Sequence, residues 1–573
     1  MPQIDKLNNL AELLSLIFEN PRNDQFTNYQ LNGDWVNISN REFCHKIFLL
    51  TEKLKSLGVK RNDRVAIFAD SSPFWLMADF SCQLIGAVSV PMFTNISIEN
   101  LKFQLQDCQA KHAFVIGSNK WQVIKKFKSQ FKNIFTHQLR VKDPIIHSIS
   151  EIFTSKVNFS KKLNFEKYSK NIKKNDLASI IYTSGSQGMP KGVMISHYNL
   201  ISQIKDANSF FKLNKDDVAL SFLPLAHIFE RMVMSFYLAR NIKIYFADDV
   251  NNVPDLLKDV KPTIITTVPR LLEKIYAKIS LKLSSSSIIK KLIAGYAMKY
   301  AMQKEIGSMR IKFIENLFNK ILYKKLLRIF GGKIRIMISG GAPLDKDIYR
   351  FFTNIGLPLY QGYGLTEASP VISTNCPRNH LFASSGKVFP SVKVKISKDG
   401  EILAKGPNIM LGYLNNLTET KNTIKSSWLK TGDRGEINKD GYLFITGRIK
   451  DLQKTSNGKY VATNLLTEKL KKIPLIENSV IIADGRKFVS AILFPDFASL
   501  KTKKINLRKF RKLLAKEIDE INKDLNHWEQ IRKFHLAKTS PTIDNQELTP
   551  SMKLRPNFII ENYKKAIANM YKQ

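Results

Sequence analysis

The sequence predicts an α/β protein with a large N-terminal domain and a small C-terminal one. Short apolar runs rich in β-branched residues alternate with helical patterns, as at 64–69 (RVAIFA), 242–246 (IKIYF) and 334–339 (IRIMIS). Such strands are typical of sheets whose faces are covered by helices. The chain also has 573 residues, which is too many for a single hydrophobic core. We therefore expect at least two domains.

The boundary between the two domains is expected near residues 447–451. Beyond it lies a very basic region of about 120 residues, which is long enough to fold separately. We place the N-terminal domain at residues 1–449 and the C-terminal domain at 450–573. Residues 500–534 of the second are rich in Lys and Arg, and we predict that they are helical.

The charge balance of the chain is strongly positive. The sequence has 89 Lys and Arg against 49 Asp and Glu, which gives a formal net charge of +40. Such a charge favours anionic partners, but it also fits a protein from a lysine-rich proteome. No nucleic-acid-binding motif accompanies the charge, so we do not expect nucleic acid as a partner.

The cysteines are too scattered for a zinc site or a disulfide framework. Cys44, Cys82, Cys108 and Cys376 form no CxxC pair, and a reducing compartment fits them. The N-terminal residues do not resemble a signal peptide. The most apolar stretch, 74–93, contains Asp79, Gln83 and Pro91, so we interpret it as a buried helix followed by a strand. We therefore expect a cytoplasmic protein.

A basic helical insert is predicted at about residues 284–330. Apolar residues recur there at helical spacing, and lysines fill much of the remainder; the apolar positions are Ile311, Ile314, Leu317, Phe318 and Ile321. A basic amphipathic helix can lie on a membrane surface, here the inner face. More often such a helix packs its apolar stripe on the protein core. Both readings stay open, with membrane contact as a peripheral association.

The strongest local motif is residues 182–192 (YTSGSQGMPKG), which follow an apolar strand. Glycines let the backbone approach a polyphosphate closely, and the backbone N–H groups can wrap it. Thr183, Ser184 and Ser186 add hydroxyl groups, and Lys191 adds a positive charge. The segment does not match the GxxxxGK[ST] loop. We interpret it as a phosphate-binding loop of another kind, with a flexible surface turn as the alternative.

A second glycine-rich segment, 361–367 (QGYGLTE), follows the strand at 334–339 and the turn GGAP. It lacks the third glycine of a dinucleotide fingerprint. Glu367 is a hard oxygen ligand suited to Mg²⁺ on a nucleotide. Thr366 could bond a phosphate, and Tyr363 offers a flat face for a base. The alternative is an ordinary turn.

Three weaker signals follow towards the C-terminus. They are a TGD string that contains Asp433, a GR pair that contains Arg448, and Lys553 in the string LTPSMKLR. An aspartate can take both hydroxyl groups of a ribose. A lone lysine is usually only solvated, so Lys553 gains weight only from the other segments.

Together these five segments resemble the superfamily of adenylate-forming enzymes (ANL), which includes acyl-CoA synthetases, adenylation domains of peptide synthetases and firefly-type luciferases. They occur in the superfamily's order and span nearly the whole chain. The resemblance implies a large N-terminal domain of sheets flanked by helices and a mobile α+β C-terminal domain. Several strings are further similar to long-chain fatty acid–CoA ligases; they are PLAHIFER, SGGAPL, GRKFVS and LTPSMKLR.

The resemblance implies a ligase that converts ATP, a fatty acid and CoA to acyl-CoA, AMP and diphosphate through an acyl-adenylate, with Mg²⁺ as cofactor. Acyl carrier protein or another acceptor in place of CoA is the alternative. A scaffold protein that has lost catalysis is a further one. The chain departs from the superfamily at Ser186 and Gln187, where two threonines are usual, so its phosphate affinity is in question.

The resemblance also carries roles onto individual residues. The ATP- and AMP-binding residues would be Thr183, Ser184, Gly185, Ser186, Gln187, Gly188, Lys191, Gly341, Ala342, Tyr363, Gly364, Thr366, Asp433 and Arg448. The catalytic residues would be Lys553, Thr366, Glu367 and His227, with Glu367 also holding Mg²⁺. A satisfied structural histidine is the alternative for His227. Lys450 would be the hinge, and Lys454, Asn457 and Gly458 would face CoA.

Overall fold

The computed structural model describes residues 4–137, 143–154, 165–183, 190–284, 288–305, 312–473, 475–550 and 552–572. Over these residues, strands and helices alternate and the sheets are largely buried, which confirms the predicted α/β class.

Two large sheets form the framework of the N-terminal part. The first orders its described strands as Lys387–Val388, Val371–Thr374, Leu359–Gly364, Ile336–Ser339, Ile264–Thr267, Val218–Ser221, Lys243–Phe246, Thr27–Leu31 and Asp34–Ile38. The second orders them as Gly412–Tyr413, Lys191–Ser196, Leu177–Thr183, Val88–Met92, Arg64–Ala69, His112–Ile116, Asn133–His137 and Ile146–Ser148. The middle strands of both sheets run parallel, as βαβ connections require.

Helices cover these sheets. In the N-terminal part they are Leu10–Glu19, Asn40–Ser56, Pro73–Leu84, Ile98–Cys108, Ser118–Ile124, Ile149–Thr154, Glu166–Ser169, His197–Phe210, Ile228–Ala239, Val253–Val260, Pro269–Ser284, Ile288–Gln303, Lys312–Phe318, Lys324–Ile329, Lys346–Asn354 and Leu417–Thr423. Pro73–Leu84 and the strand Val88–Met92 are buried throughout. The interpretation of residues 74–93 as a buried helix and a strand is therefore confirmed.

A smaller antiparallel sheet brings the two TGD and GR strings together. It contains Lys393–Ile396, Glu401–Lys405, Trp428–Ile437, Ile424–Lys425 and Leu443–Arg448. Asp433 pairs directly with Arg448 across two of these strands. Residues that face each other across a ladder lie close enough for their side chains to interact.

The C-terminal region, residues 450–573, builds its own elements. They are the hairpin Leu452–Lys454 and Tyr460–Ala462, the sheet Ile476–Ile482, Val489–Pro495 and Ile531–Leu536, and the helices Thr463–Lys471, Phe497–Thr502, Leu507–Lys523, Pro556–Asn562 and Lys564–Tyr571. The helical prediction for 500–534 is wrong at its end, because Ile531–Leu536 pairs as an edge strand with a fully buried neighbour. The buried side chains of this region form clusters with each other.

The described residues of the insert are largely helical, and its apolar side chains pack in part on the core. A π-helical turn, Asn319–Tyr323, follows the helix Lys312–Phe318. Of the predicted apolar positions, Phe318 packs against the core, whereas Leu317 is 45% exposed; buried residues further along are Leu322, Tyr323, Leu326 and Phe330. Ile311 lies outside the described residues. No described helix combines the length and hydropathy that crossing a membrane requires.

Candidate active site

One cavity of about 560 Å³ opens between the N-terminal sheets and the C-terminal region. Thr549, Pro550, Lys553 and Arg555 reach it from the C-terminal side. Its remaining lining divides into a polar part and an apolar part. Sequence-predicted residues that line it are Thr183, Lys191, His227, Gly341, Tyr363, Gly364, Thr366, Glu367, Asp433, Arg448 and Lys553.

The predicted phosphate loop joins two antiparallel strands at the polar part of the cavity. Thr183 and Lys191 face each other across these strands, so they stand on the two sides of the loop. Ser184, Gly185, Ser186, Gln187 and Gly188 lie outside the described residues.

The ammonium group of Lys191 forms an ion pair with Glu419. It also lies 5.1 Å from the centroid of the Tyr413 ring. The Tyr413 hydroxyl donates a hydrogen bond of 2.8 Å to Oε1 of Glu367. Burial, together with Glu367, raises the pKa of Tyr413, so its hydroxyl stays a donor. Lys191 and Glu367 are therefore linked through one aromatic side chain.

Glu367 offers a single carboxylate to a metal ion. Among the described residues, no group of three or more His, Cys, Asp or Glu side chains converges as a metal site would need. Mg²⁺ on a nucleotide needs no such group, because it is usually held by one or two carboxylates, phosphates and water. Oε1 of Glu367 is fixed by Tyr413, and the residue lines the cavity, so Glu367 fits the predicted role.

A second polar cluster contains Asp433. Its Oδ2 accepts a 2.8 Å hydrogen bond from the Tyr363 hydroxyl, and its Oδ1 lies 3.0 Å from Nε of Arg448. Only 6% of Asp433 is exposed. Burial, with Asp433 as the next cause, raises the pKa of Tyr363 well above its usual value. The phenol is thus a neutral donor, and Asp433 is a fixed acceptor.

The backbone of the GYG segment passes very close to its neighbour strand. A Cβ atom on Gly364 would lie 1.8 Å from the carbonyl oxygen of Pro370, so only glycine fits. Gly341, at φ +81°, lines the cavity. Ala342 is exposed and is not part of the lining, so the structure does not bring it to the predicted adenine position.

His227 begins the helix Ile228–Ala239 at the edge of the cavity. Its Nδ1 accepts a 3.2 Å hydrogen bond from the N–H of Phe229, which caps the helix and leaves the proton on Nε2. Burial, and then the nearby Lys553, lower the pKa of His227 to about 4. The imidazole is therefore neutral at neutral pH.

Two buried side chains fix this helix. Arg231 makes two 2.8 Å hydrogen bonds to Asp79, and both residues are at most 2% exposed. Glu230 accepts bonds of 2.6 Å from Ser221 and 2.9 Å from Thr266, and burial raises its pKa to about 7. The string PLAHIFER thus contains both a residue at the cavity and the groups that hold its helix.

Lys553 enters the cavity on a tight turn. The Thr549 N–H donates to the Lys553 carbonyl oxygen, and the Lys553 N–H donates to Oγ1 of Thr549, at 2.8 and 3.0 Å. Asn95 donates a 2.8 Å bond to the carbonyl oxygen of Pro550 and so ties this turn to the N-terminal part. Burial, and then Arg448, lower the pKa of Lys553, while Asp433 opposes them.

The predicted CoA-side residues lie elsewhere. Lys454, Asn457 and Gly458 belong to the hairpin at 452–462, and none of them lines the cavity. The backbone of Lys450 continues the chain from Arg448 into this hairpin. The C-terminal region therefore presents Lys553, and not its hairpin, to the cavity.

Two residues of the site were missed by sequence reasoning. Tyr413 and Glu419 line the polar part and contact predicted residues. Neither stands in a recognisable motif, and Glu419 lies 228 residues from Lys191 along the chain. Only the pairing of the strand Gly412–Tyr413 with Lys191–Ser196 brings them together.

Comparison with known proteins gives the same picture of the chain. The family model for AMP-binding enzymes matches residues 19–414, and the model for the AMP-binding enzyme C-terminal domain matches residues 450–573. The chain therefore belongs to the family of AMP-binding enzymes.

Curated relatives match over nearly the full length. A long-chain-fatty-acid–CoA ligase of Mycobacterium bovis is 30% identical, with 97% of this chain and 96% of the relative covered. Long chain acyl-CoA synthetase 3 of Arabidopsis thaliana is 26% identical, with 94% and 88% covered.

Solved structures share the fold. The anthranilate CoA ligase AuaEII, solved with anthranoyl-AMP, has a TM-score of 0.72 at 18% identity, with 99% of this chain and 100% of that chain covered. The A domain of a carboxylic acid reductase from Segniliparus rugosus has a TM-score of 0.75 at 17% identity, with 98% and 94% covered. These similarities confirm the predicted adenylate-forming fold.

Proposed function

We propose that the protein is an AMP-forming long-chain fatty acid–CoA ligase. It joins the fatty acid carboxylate to the α-phosphate of ATP and releases diphosphate; the CoA thiol then attacks the acyl carbon and AMP leaves. The observation that carries the proposal is the entry of Lys553 into a cavity that combines the Asp433–Arg448 cluster with an apolar pocket. The relatives named above act on long-chain fatty acids by name.

The nucleotide binds along the polar part of the cavity. Thr183 and Lys191 flank the β- and γ-phosphates together with residues 184–188, and Thr366 contacts the α-phosphate. Asp433 takes the ribose hydroxyls, beside Arg448, and Tyr363 flanks the adenine with Gly341 and Gly364. Support comes from the cavity lining, which includes all of these residues except 184–188, which lie outside the described residues.

Glu367 is the residue that would hold Mg²⁺, which supplies positive charge to the phosphates. Its suitability comes from its place in the cavity lining and from its hydrogen bond with Tyr413. The protein's own contribution is to fix the carboxylate, because the Tyr413 hydroxyl occupies one oxygen and leaves the other for a ligand.

Lys553 neutralises charge in the first half-reaction. Two anions, the carboxylate and the α-phosphate, must approach each other, so a fixed cation stabilises the transition state more than the separated reactants. The Asp433 carboxylate opposes the fall in the pKa of Lys553 and so helps to keep it protonated.

His227 orients the acyl carboxylate without carrying charge. Its neutral ring presents an Nε2–H donor. Because its pKa is about 4, the ring is uncharged at neutral pH, and Lys553 is the cation beside it in the cavity. A neutral donor can hold one carboxylate oxygen without competing with Lys553 for the negative charge.

The acyl chain occupies the apolar part of the cavity. Its walls are Phe211, Leu213, Ile228, Met232, Val233, Phe236, Tyr237, Ile336 and Ile338. The ten residues from Ile228 to Tyr237 span about 15 Å of helix, so this wall is long enough for an extended aliphatic chain. Burying such a chain contributes about 0.8 kcal/mol for each CH₂ group.

We assign the two half-reactions to two positions of the C-terminal region. Residues 1–449 and 450–573 act as separate domains, with Lys450 as the hinge, and rotation brings Lys454, Asn457 and Gly458 to the cavity for CoA. Support comes from the separate hydrophobic clusters of the C-terminal region. Rotation about a few residues is a known way to reuse one site.

The test is product analysis with fatty acids of increasing length, with and without CoA. We expect AMP, diphosphate and acyl-CoA in equal amounts, with the highest kcat/KM for long chains. Formation of ADP, or acyl transfer to acyl carrier protein in preference to CoA, contradicts the proposal. Absence of ATP–diphosphate exchange favours a scaffold protein instead.

A peripheral membrane contact is a second proposal, and it concerns the insert. Leu292 and Tyr296 are 58% and 70% exposed on one face of the helix Ile288–Gln303. Exposed apolar side chains among lysines suit an anionic lipid surface. Co-sedimentation with phosphatidylglycerol vesicles should fall in L292S/Y296S but not in L465S, which changes an equally exposed leucine of the C-terminal region. Equal sedimentation of all three proteins contradicts the contact.

A further inference from the structure

Glu419 is a carboxylate at the polar end of the cavity that has no part in the reaction described above. It belongs to the short helix Leu417–Thr423 and lines the cavity near Lys191. Its side chain is paired with the Lys191 ammonium, the group assigned to the β- and γ-phosphates. Lys191, the cation that the phosphates of the nucleotide need, is therefore already paired with the Glu419 carboxylate.

The backbone around Glu419 is built to hold it there. The Asn416 side chain accepts a 3.0 Å bond from the N–H of Glu419 and caps the helix. Thr420 donates 2.8 Å to the carbonyl oxygen of Asn416 and accepts 2.9 Å from the N–H of Tyr413.

The same framework carries Lys191. The strand Gly412–Tyr413 pairs with Lys191–Ser196, so the two charges are attached to one connected piece of backbone. The pair is thus a fixed feature of the phosphate end and not a chance meeting of two flexible surface side chains.

Stability alone does not account for the pair. The two side chains are 32% and 36% exposed, and ion pairs in such surroundings contribute about 0–1 kcal/mol. The consequence for ligands is larger, because a triphosphate or diphosphate must displace the carboxylate from Lys191 and must also approach its negative charge.

We propose that Glu419 is an internal competitor for Lys191, which weakens the binding of both ATP and diphosphate. This rests on the proposed function. Weaker binding of a group that leaves after the first half-reaction speeds its release, and it leaves the rate constant of the chemical step unchanged if ground state and transition state are weakened alike. Glu419 is thus a positioning residue that sets diphosphate affinity through Lys191.

The test is direct binding of inorganic diphosphate and of ATP, measured by titration calorimetry without fatty acid. In E419Q, which keeps the side-chain size, we expect both ligands to bind about two- to fivefold tighter. The KM for ATP should fall by a similar factor, while kcat stays equal or falls as diphosphate release slows. High salt should reduce the difference.

Two comparisons make the result specific. In a K191Q background, E419Q should change diphosphate affinity much less, because the ammonium group for which Glu419 and diphosphate compete is absent. E151Q, which removes an exposed carboxylate from the helix Ile149–Thr154, should bind like the wild type.

The failures are distinguishable. If the wild type binds diphosphate and ATP but E419Q binds them no tighter, the inference is wrong while the proposed function stands. If E419Q is tighter by the same factor with and without Lys191, the competition does not act through Lys191, and the inference is also wrong. If the wild type binds neither ligand, the proposed function itself fails.

Discussion

The C-terminal region contains two segments assigned to the reaction, and they lie in contrasting places. The turn with Lys553 lines the cavity and is tied to Asn95 of the N-terminal part. The hairpin with Asn457 and Gly458 lies outside the cavity lining. This arrangement of the chain therefore brings the first segment, but not the second, to the cavity. It agrees with the proposed adenylate formation, and we propose that CoA transfer uses another position of the same region.

The contrast rests on contacts that hold the C-terminal region in place. Lys472 lies 3.2 Å from Asp347 and 3.7 Å from Asp345. Arg270 lies 2.9 Å from Glu477. These ion pairs are partly exposed, so each contributes little to holding the two parts together.

The largest expected effect concerns Lys553. K553A should lower adenylate formation about 10²- to 10³-fold, because it removes a cation that lines the cavity where charge develops. Transfer of the acyl group from preformed acyl-adenylate to CoA should change much less. ATP–diphosphate exchange and thioester formation measure the two steps. K538A, which removes an exposed lysine of the same region, is the control, and an equal loss in both steps contradicts the assignment.

The next effect concerns the hairpin. Gly458 has φ +76° with open space around its Cβ position, so G458A strains the backbone without a clash. The strain of about 1 kcal/mol should reduce CoA transfer roughly fivefold and leave adenylate formation unchanged. G441A, at φ +80° with equal space on a hairpin of the N-terminal part, should affect neither step. If G458A slowed adenylate formation and G441A did not, the proposed difference in role between the hairpin and the Lys553 turn would be wrong.

A smaller effect is expected at the contact between the two parts. K472A should slow adenylate formation about two- to threefold by weakening the arrangement that presents Lys553. K471A is the matched control, because Lys471 pairs with Glu468 inside its own helix. Similar rates for K472A and K471A in ATP–diphosphate exchange would show that the contact does not matter.

The smallest effect at neutral pH comes from the ionisation of Lys553. Its lowered pKa means that the ammonium is lost, with rising pH, before an ordinary lysine would lose it. Adenylate formation should therefore decline on the alkaline side below the usual lysine range of about 10.4, whereas CoA transfer should not share this decline. K553R, whose charge persists, should lack the alkaline decline at whatever rate it retains. If K553R shows the same alkaline decline in adenylate formation, the decline comes from the ionisation of another group.

The sequence predicted the local parts of this picture well. The strand before the phosphate loop and the buried helix and strand at 74–93 belong to short stretches whose patterns show in the sequence. Motif order then identified the family, because five ordered segments rarely arise by chance.

The sequence could not show what the tertiary structure brings together. Glu419 reaches Lys191 only through a pair of strands far apart in the chain. The strand Ile531–Leu536 was predicted as helix because its lysines and arginines hide the alternation that pairing imposes. The π-helical turn of the insert at Asn319–Tyr323 leaves no signal in the spacing of its apolar residues. Ala342 was assigned by motif, and motif position does not determine which side chain faces a cavity.

The central claim is that one arrangement forms the adenylate and another uses it. It can be tested most directly by preventing the change. All four natural cysteines are buried, so D347C/K472C can be joined selectively by a short cleavable linker between the two parts. The account predicts that the joined enzyme still exchanges ATP with diphosphate but transfers no acyl group to CoA, and that cleavage restores the transfer. Full acyl-CoA formation by the joined enzyme would contradict the account.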